Sequence, residues 1–130
     1  MPKDESDNLS LIYCRLCTYL QRDRLFTHSG LNRINLASAI RTNEKYLAKA
    51  VRQFAGGKSL GEFIDSLRLD YACYLLQTRP EYTIEAVALE CGMNSRSAFY
   101  RVFRKHFGCS PGEYLNGTGG IPESGTSVSP

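Results

Sequence analysis

The chain has 130 residues, of which 42% are apolar and 22% charged, and a formal net charge of +3. That length holds one domain, or two very small ones sharing a boundary. No apolar run approaches the ~18 residues of a membrane span, and the polar start Met-Pro-Lys-Asp-Glu lacks a secretory apolar segment. These features argue against membrane contact, secretion and a disulfide miniprotein, and for a cytoplasmic protein.

Residues 1–8 read as a polar arm. Over residues 9–21 apolar groups recur at Leu9, Ile12, Tyr13, Leu16 and Leu20, which is helical spacing. A loop through His28, Ser29 and Gly30 follows. Asn32 suits the cap of a short helix carrying Ile34, Leu36, Ala37 and Ile40. Asn43 suits the cap of the next, which runs to about Phe54 and stops at Gly56-Gly57. Ser59-Leu60-Gly61-Glu62 fits a capping box, in which Ser accepts from the third amide and Glu reaches back to the cap amide. The helix it opens covers about 60–77, with Phe63, Ile64, Leu67, Tyr71, Ala72, Leu75 and Leu76 as its expected buried set.

Thr83 starts a short helix with Ile84, Val87 and Ala88 that stops at Gly92. Ser95 starts one that runs to Phe107 and stops at Gly108. Ser110-Pro111-Gly112-Glu113 is a second capping box, with Pro at the favoured first helical position, and opens a helix over about 111–116. Residues 117–130 are Gly, Ser, Thr and Pro with almost no apolar groups and read as a disordered tail. The expectation is an all-α fold of about seven helices without strands.

Five cysteines, an odd number, sit in helical patterns or beside turns. After Cys14-x-x-Cys17 neither a second pair nor a His pair follows, so free thiols in a reducing cytosol are the reading, not zinc. His28 and His106 have neither triad nor metal spacing, and no Gly-rich phosphate loop follows a strand. Neither an enzyme nor a cofactor is expected.

Most of the chain reads twice. Leu47, Val51 and Gly56 recur as Phe99, Phe103 and Gly108 at an offset of 52. Ser59-Leu-Gly-Glu-Phe63 recurs as Ser110-Pro-Gly-Glu-Tyr114 at an offset of 51. The unit is a short helix, a tight turn, a longer helix, a glycine stop and a third capped helix. The first two make a helix-turn-helix, at about 32–55 and again at about 83–107, with the helix over 60–77 as linker.

A reading helix must bury one face and leave the other free for a major groove. Leu47, Ala50, Val51 and Phe54 form one such inward face, and Phe99, Val102, Phe103 and His106 or Phe107 the other. Facing outward are Lys45, Ala48, Lys49 and Arg52, then Ser97, Tyr100, Arg101 and Arg104, with Arg96 at the first helical position. The basic residues concentrate here: residues 91–112 carry Arg96, Arg101, Arg104 and Lys105 and no acid. Arg can donate two bonds to a guanine edge, and either cation neutralises phosphate.

The segment Ala88-x-x-x-Gly92-Met93-x-Ser95-x-Ser97-x-Phe99-x-x-x-Phe103-Arg104-Lys105-x-Phe107-Gly108-x-Ser110-Pro111-x-x-Tyr114 resembles the DNA-binding domain of AraC/XylS-type bacterial transcription regulators. Phe63-Ile64-x-x-x-Arg68-Leu69-x-x-Ala72-x-x-Leu75-Leu76 fits the linker helix of that family, and Asn43-x-x-Tyr46-Leu47 its first half. The resemblance covers about Leu36 to Leu115. It implies two recognition helices entering successive major-groove segments of double-stranded DNA, a domain spanning 9–116, and RNA polymerase as a further partner. By position, Lys45, Ala48, Lys49 and Arg52 would form the first reader. Arg96, Ser97, Tyr100, Arg101 and Arg104 would form the second. Helix starts at Asn43, Ser95 and Ser110 would meet phosphate.

Two positions depart from the family. Met93 stands where Phe is usual and fills the space more loosely. Arg41 stands where Gly is common, at a cost of ~1 kcal/mol if the backbone there needs positive φ. Members usually carry an effector, receiver or dimerisation domain, for which the residues before Leu9 are too few. The chain is then either a free-standing regulator or the C-terminal piece of a longer one. The competing class is a helical protein-interaction module, an anti-regulator that keeps the fold without binding DNA; its outward faces would be apolar or acidic.

Overall fold

The structure is a computed structural model that describes residues 5–116, with side chains from Asn8 onward. The tail read over 117–130, and the first four residues of the arm, lie outside the described residues. Among the described residues there are seven α-helices: α1 (Glu5–Gln21), α2 (Arg33–Ala39), α3 (Glu44–Phe54), α4 (Leu60–Thr78), α5 (Ile84–Glu90), α6 (Arg96–Phe107) and α7 (Pro111–Leu115). There is no strand among the described residues. The chain divides into two compact units, Met1–Leu67 and Arg68–Pro130, with the boundary inside α4.

The caps are where the side-chain chemistry places them. Asn32 Oδ1 accepts from the Asn35 amide at 2.8 Å and Asn43 Oδ1 from the Tyr46 amide at 2.9 Å. Thr83 Oγ1 accepts from Ala86 N at 3.0 Å and Ser95 Oγ from Ala98 N at 3.1 Å. Both capping boxes close with the same dimensions. The Ser amide donates to the Glu carboxylate at 2.9 Å, and the Glu amide donates to the Ser hydroxyl at 3.1 Å, at Ser59/Glu62 and again at Ser110/Glu113. The Ser110 bonds hold the Glu113 carboxyl below its ordinary range.

The first unit is built on α1. Leu9, Ile12, Leu16 and Leu20 bury one stripe of it, with Leu36, Ala37 and Ile40 of the α2 region, Leu47, Ala50 and Val51 of α3, and Leu60, Phe63 and Ile64 of α4 also buried. Tyr13 stacks on Phe54 at 5.7 Å and meets Phe63 at 5.6 Å. In the second unit Leu69, Ala72, Leu75 and Leu76 of α4 join Val87, Ala88, Cys91, Met93, Phe99, Phe103 and Cys109 in one core. Phe103 lies at its centre, 5.6 Å from Phe99, 4.6 Å from Phe107 and 5.5 Å from Tyr114.

Several sequence expectations need correction. The arm over 1–8 is too long, because α1 already starts at Glu5. The loop after α1 holds a 3₁₀ segment, Arg22–Thr27, interrupted by left-handed Asp23 (φ 52) and Arg24 (φ 54). Phe54 is 38% exposed: it leans on Tyr13 instead of entering the core. Along α4 the buried residues do not continue one stripe. Leu67 and Tyr71 are only half-buried, while Leu69, absent from the expected set, is fully buried. Of the alternatives His106 and Phe107, the ring of Phe107 packs against the core and His106 is exposed.

Candidate nucleic-acid interface

In each unit a short helix and a longer one meet through the same turn. Arg41 N donates to Ser38 O at 3.1 Å and Thr42 N to Ala37 O at 2.8 Å. Gly92 N donates to Leu89 O at 3.1 Å and Met93 N to Ala88 O at 3.0 Å. Both patterns are Schellman closures, whose first residue beyond the cap must be left-handed. Gly92 fills that place at φ 102 and Arg41 at φ 63. The turn then needs only one or two residues to reach the Asn43 or Ser95 cap of the longer helix.

That geometry fixes which faces of α3 and α6 are free. On α3, Leu47, Ala50 and Val51 are buried, Lys45 and Arg52 are exposed, and Ala48 and Lys49 are half-buried. On α6, Phe99 and Phe103 are buried, Arg96, Ser97, Arg101 and Arg104 are exposed, and Tyr100 is half-buried. The exposed members of the outward set thus lie away from the core, whereas Ala48 and Lys49 are half-buried and Tyr100, expected to face outward, packs partly against the core of unit 2. The third helix start differs from the other two. At Ser110 the first helical residue is Pro111, which has no N–H, and the Ser110 amide is taken by the Glu113 carboxylate.

Each helix pair also carries an ion pair that was not foreseen. In unit 1, Arg33 Nε lies 3.6 Å from Glu44 Oε1. In unit 2, Arg96 Nη1 lies 2.7 Å from Glu85 Oε2. Each ties the first turn of the shorter helix to the first residue of the longer one, with the charges exchanged between units. The signal was present in the sequence: in both copies opposite charges stand eleven residues apart. Arg96 is held further within α6. Its Nη2 donates to the Tyr100 hydroxyl at 3.3 Å, and its Cζ lies 5.1 Å from the centre of the Tyr100 ring. The Tyr100 bond, then the Glu85 charge, raise the pKa of the Arg96 guanidinium further.

Among the described residues no group of three or more His, Cys, Asp or Glu is placed to hold a metal ion. Nor is any helix there long and apolar enough to cross a membrane. All five cysteines are free thiols.

Two copies of a short helix, a Schellman turn and a capped helix with a cationic outer face define a double helix-turn-helix protein. The family described as "Helix-turn-helix domain" matches residues 36–117. The probable transcription factor PqrA of Proteus vulgaris is 31% identical over 102 residues, covering 78% of each chain. The uncharacterized HTH-type transcriptional regulator YpdC of Escherichia coli K12 is 28% identical over 87% of this chain. The chain spans 38% of the length of YpdC and 19% of that of an HTH-type regulator from Haemophilus influenzae. Among solved structures, the C-terminal domain of AraT, a response regulator from Geobacillus stearothermophilus, superposes with a TM-score of 0.73 at 28% identity, covering 91% of this chain and 93% of that one. The DNA-binding domain of AdpA, solved in complex with a target DNA, shares the fold with a TM-score of 0.71 at 22% identity, covering 81% of this chain and 90% of its own. The chain belongs to the AraC-type helix-turn-helix family, the DNA-binding domains of transcription regulators.

Proposed function

We propose that this chain binds double-stranded DNA sequence-specifically, with α3 and α6 as recognition helices in successive major-groove segments. The observation that carries the reading is the duplicated helix pair, each copy leaving the basic face of its capped second helix open to solvent. Lys45, Ala48, Lys49 and Arg52 form the first reader, and Ser97, Tyr100, Arg101 and Arg104 the second, with Arg96 at its first helical position. Small Ala48 and Ser97 permit close approach to bases, and cations beside them neutralise phosphates. Helix starts at Asn43 and Ser95 point amides and a positive dipole end at phosphate. Ser110, whose helix has five residues and a local carboxylate, is the least suited of the three.

The wider role follows from the regulators the chain resembles. Acting on transcription in a bacterial cytoplasm, it would meet RNA polymerase. An effector, receiver or dimerisation domain would share its chain or its promoter. It carries no reaction of its own in this reading, consistent with a family of regulators. A protein-interaction module is disfavoured because the outward faces are basic.

Selection of bound sites from random duplexes, followed by mobility shifts at rising salt, tests the proposal. A defined site, bound with an affinity that falls steeply with salt, supports it. Absence of any salt-sensitive binding near ~50 mM salt overturns it in favour of the interaction module.

A further inference from the structure

The residue that opens α6 is not placed like the other cations of its face. At about 100° per residue, Arg96 lies a full step around the helix from Ser97, on the side toward α5. There its Nη1 meets Glu85 at 2.7 Å, and its Nη2 donates to the Tyr100 hydroxyl at 3.3 Å. Its guanidinium carbon sits 5.1 Å from the Tyr100 ring centre. Guanine recognition by arginine uses two parallel N–H bonds from one edge of the guanidinium. Here the two terminal nitrogens are directed at protein partners, one of them a carboxylate that neutralises the charge.

Tyr100 is the residue this arrangement serves. Its ring is half-buried, edge-on to Phe99 at 6.3 Å, and Arg96 covers it, so its direction is set from two sides. A phenol has one proton to donate and lone pairs that accept. Arg96 supplies the bond that the oxygen accepts. The remaining O–H must donate elsewhere, and a hydroxyl accepting from a cation is polarised into a stronger donor. Unit 1 has nothing comparable: the repeat offset of 52 places Glu44 opposite Arg96 and Ala48 opposite Tyr100.

We infer that Arg96 and Glu85 are positioning residues, and that Tyr100 is the reader they prepare, its O–H donating to a hydrogen-bond acceptor on DNA. This rests on the DNA-binding reading above. The acceptor is a base edge in the major groove or a phosphate oxygen, and the same chemistry serves both.

The test uses the full chain and the duplex it selects from random sequence. Tyr100→Phe keeps the ring, its packing and the cation over it, so its melting temperature should match that of the parent. Loss of one hydrogen bond should weaken binding roughly three- to tenfold. Duplexes are then altered one position at a time, with base analogues lacking a single major-groove acceptor or with methylphosphonates in place of phosphates. One substitution should weaken the parent by that factor and leave Tyr100→Phe unaffected; its type identifies the acceptor. Glu85→Gln and Arg96→Ala should lose affinity at that same position without adding to Tyr100→Phe, and Arg96→Lys should recover part of the loss. If Tyr100→Phe binds as the parent does while Arg101→Ala weakens binding, the assignment of Tyr100 fails and DNA binding stands. If Arg96→Ala and Tyr100→Phe act additively at different positions, Arg96 reads DNA itself and the inference fails. If neither Arg101→Ala nor any other outward substitution changes binding, the DNA reading fails as well.

Discussion

Arg41 and Gly92 occupy the same place in two copies of one turn. Each is the first residue beyond the C-cap of a short helix, each donates to the carbonyl three residues back, and each is left-handed, at φ 63 and φ 102. Glycine adopts that backbone at no steric cost, whereas a residue with a Cβ is strained by about 1–2 kcal/mol. Unit 1 therefore holds its helix-turn-helix angle with a strained residue and unit 2 with a relaxed one. The Arg41 side chain lines two adjoining depressions of about 440 and 520 Å³ together with Arg15.

Relieving the strain should stabilise unit 1. Arg41→Gly removes the left-handed penalty but returns freedom to the unfolded chain, which offsets ~0.4–1 kcal/mol of the gain. The net expectation is a stabilisation of up to about 1 kcal/mol, a rise of a few degrees in melting temperature. The reverse change, Gly92→Ala, should destabilise by ~1–2 kcal/mol. Calorimetry of the two variants checks this; a lower melting temperature for Arg41→Gly would show that the arginine side chain contributes more than its backbone costs.

The inward assignment of α6 predicts a large core effect. Phe103 is fully buried and meets three aromatic rings, so Phe103→Ala should cost ~3–5 kcal/mol. Phe54, 38% exposed and stacked on Tyr13, should lose only ~1 kcal/mol as Phe54→Ala. Denaturant titration distinguishes them, and equal midpoints would reverse the assignment of faces.

How much of this was legible follows from how local each signal is. A cap is a side chain reaching an amide three residues away, so Asn32, Asn43, Thr83, Ser95 and both capping boxes can be read without knowing the fold. Burial along α4 is not local. A single 3.6-residue stripe demands Leu67 and Tyr71, but the helix is shared between two units, and Leu69 is buried in the second instead. The left-handed pair Asp23 and Arg24 has no glycine to announce it. The outward face of α6 was readable as a face; that Arg96 turns from it toward Glu85 depends on a partner eleven residues away on another helix.

Stability should fall at alkaline pH. Burial pushes the Cys73 thiol up from 9.0 to about 11, and burial with the neighbouring Cys73 pushes the Tyr114 phenol from 10.0 to about 12. Both groups are neutral and fully compatible with the fold below pH 9. Between pH 9 and 11 the unfolded chain has released the Cys73 proton and the folded chain has kept it, so raising pH favours unfolding. The thiol should account for roughly 1–2 kcal/mol across that window once partial solvent access is discounted. Melting curves from pH 8 to 11 should show the parent losing more stability than Cys73→Ala; parallel curves would remove the thiol as the cause.

The two kinds of DNA contact separate by their response to salt and sequence. If Arg101 reads a base edge, Arg101→Ala should cost ~1–3 kcal/mol on the selected duplex and relax preference at one base pair. If Lys49 and Arg104 neutralise phosphates, Lys49→Ala and Arg104→Ala should weaken binding to every duplex alike. Each should also reduce the log–log salt slope by about one. Arg104 sits in the last turn of α6, where its charge also offsets the helix dipole, so Arg104→Ala should lower stability by ~0.3–1 kcal/mol as well. Binding isotherms at four or five salt concentrations, for the selected and a scrambled duplex, decide between the roles. Uniform weakening by Arg101→Ala would make it a phosphate clamp, and an unchanged slope for Arg104→Ala would move that residue off the backbone.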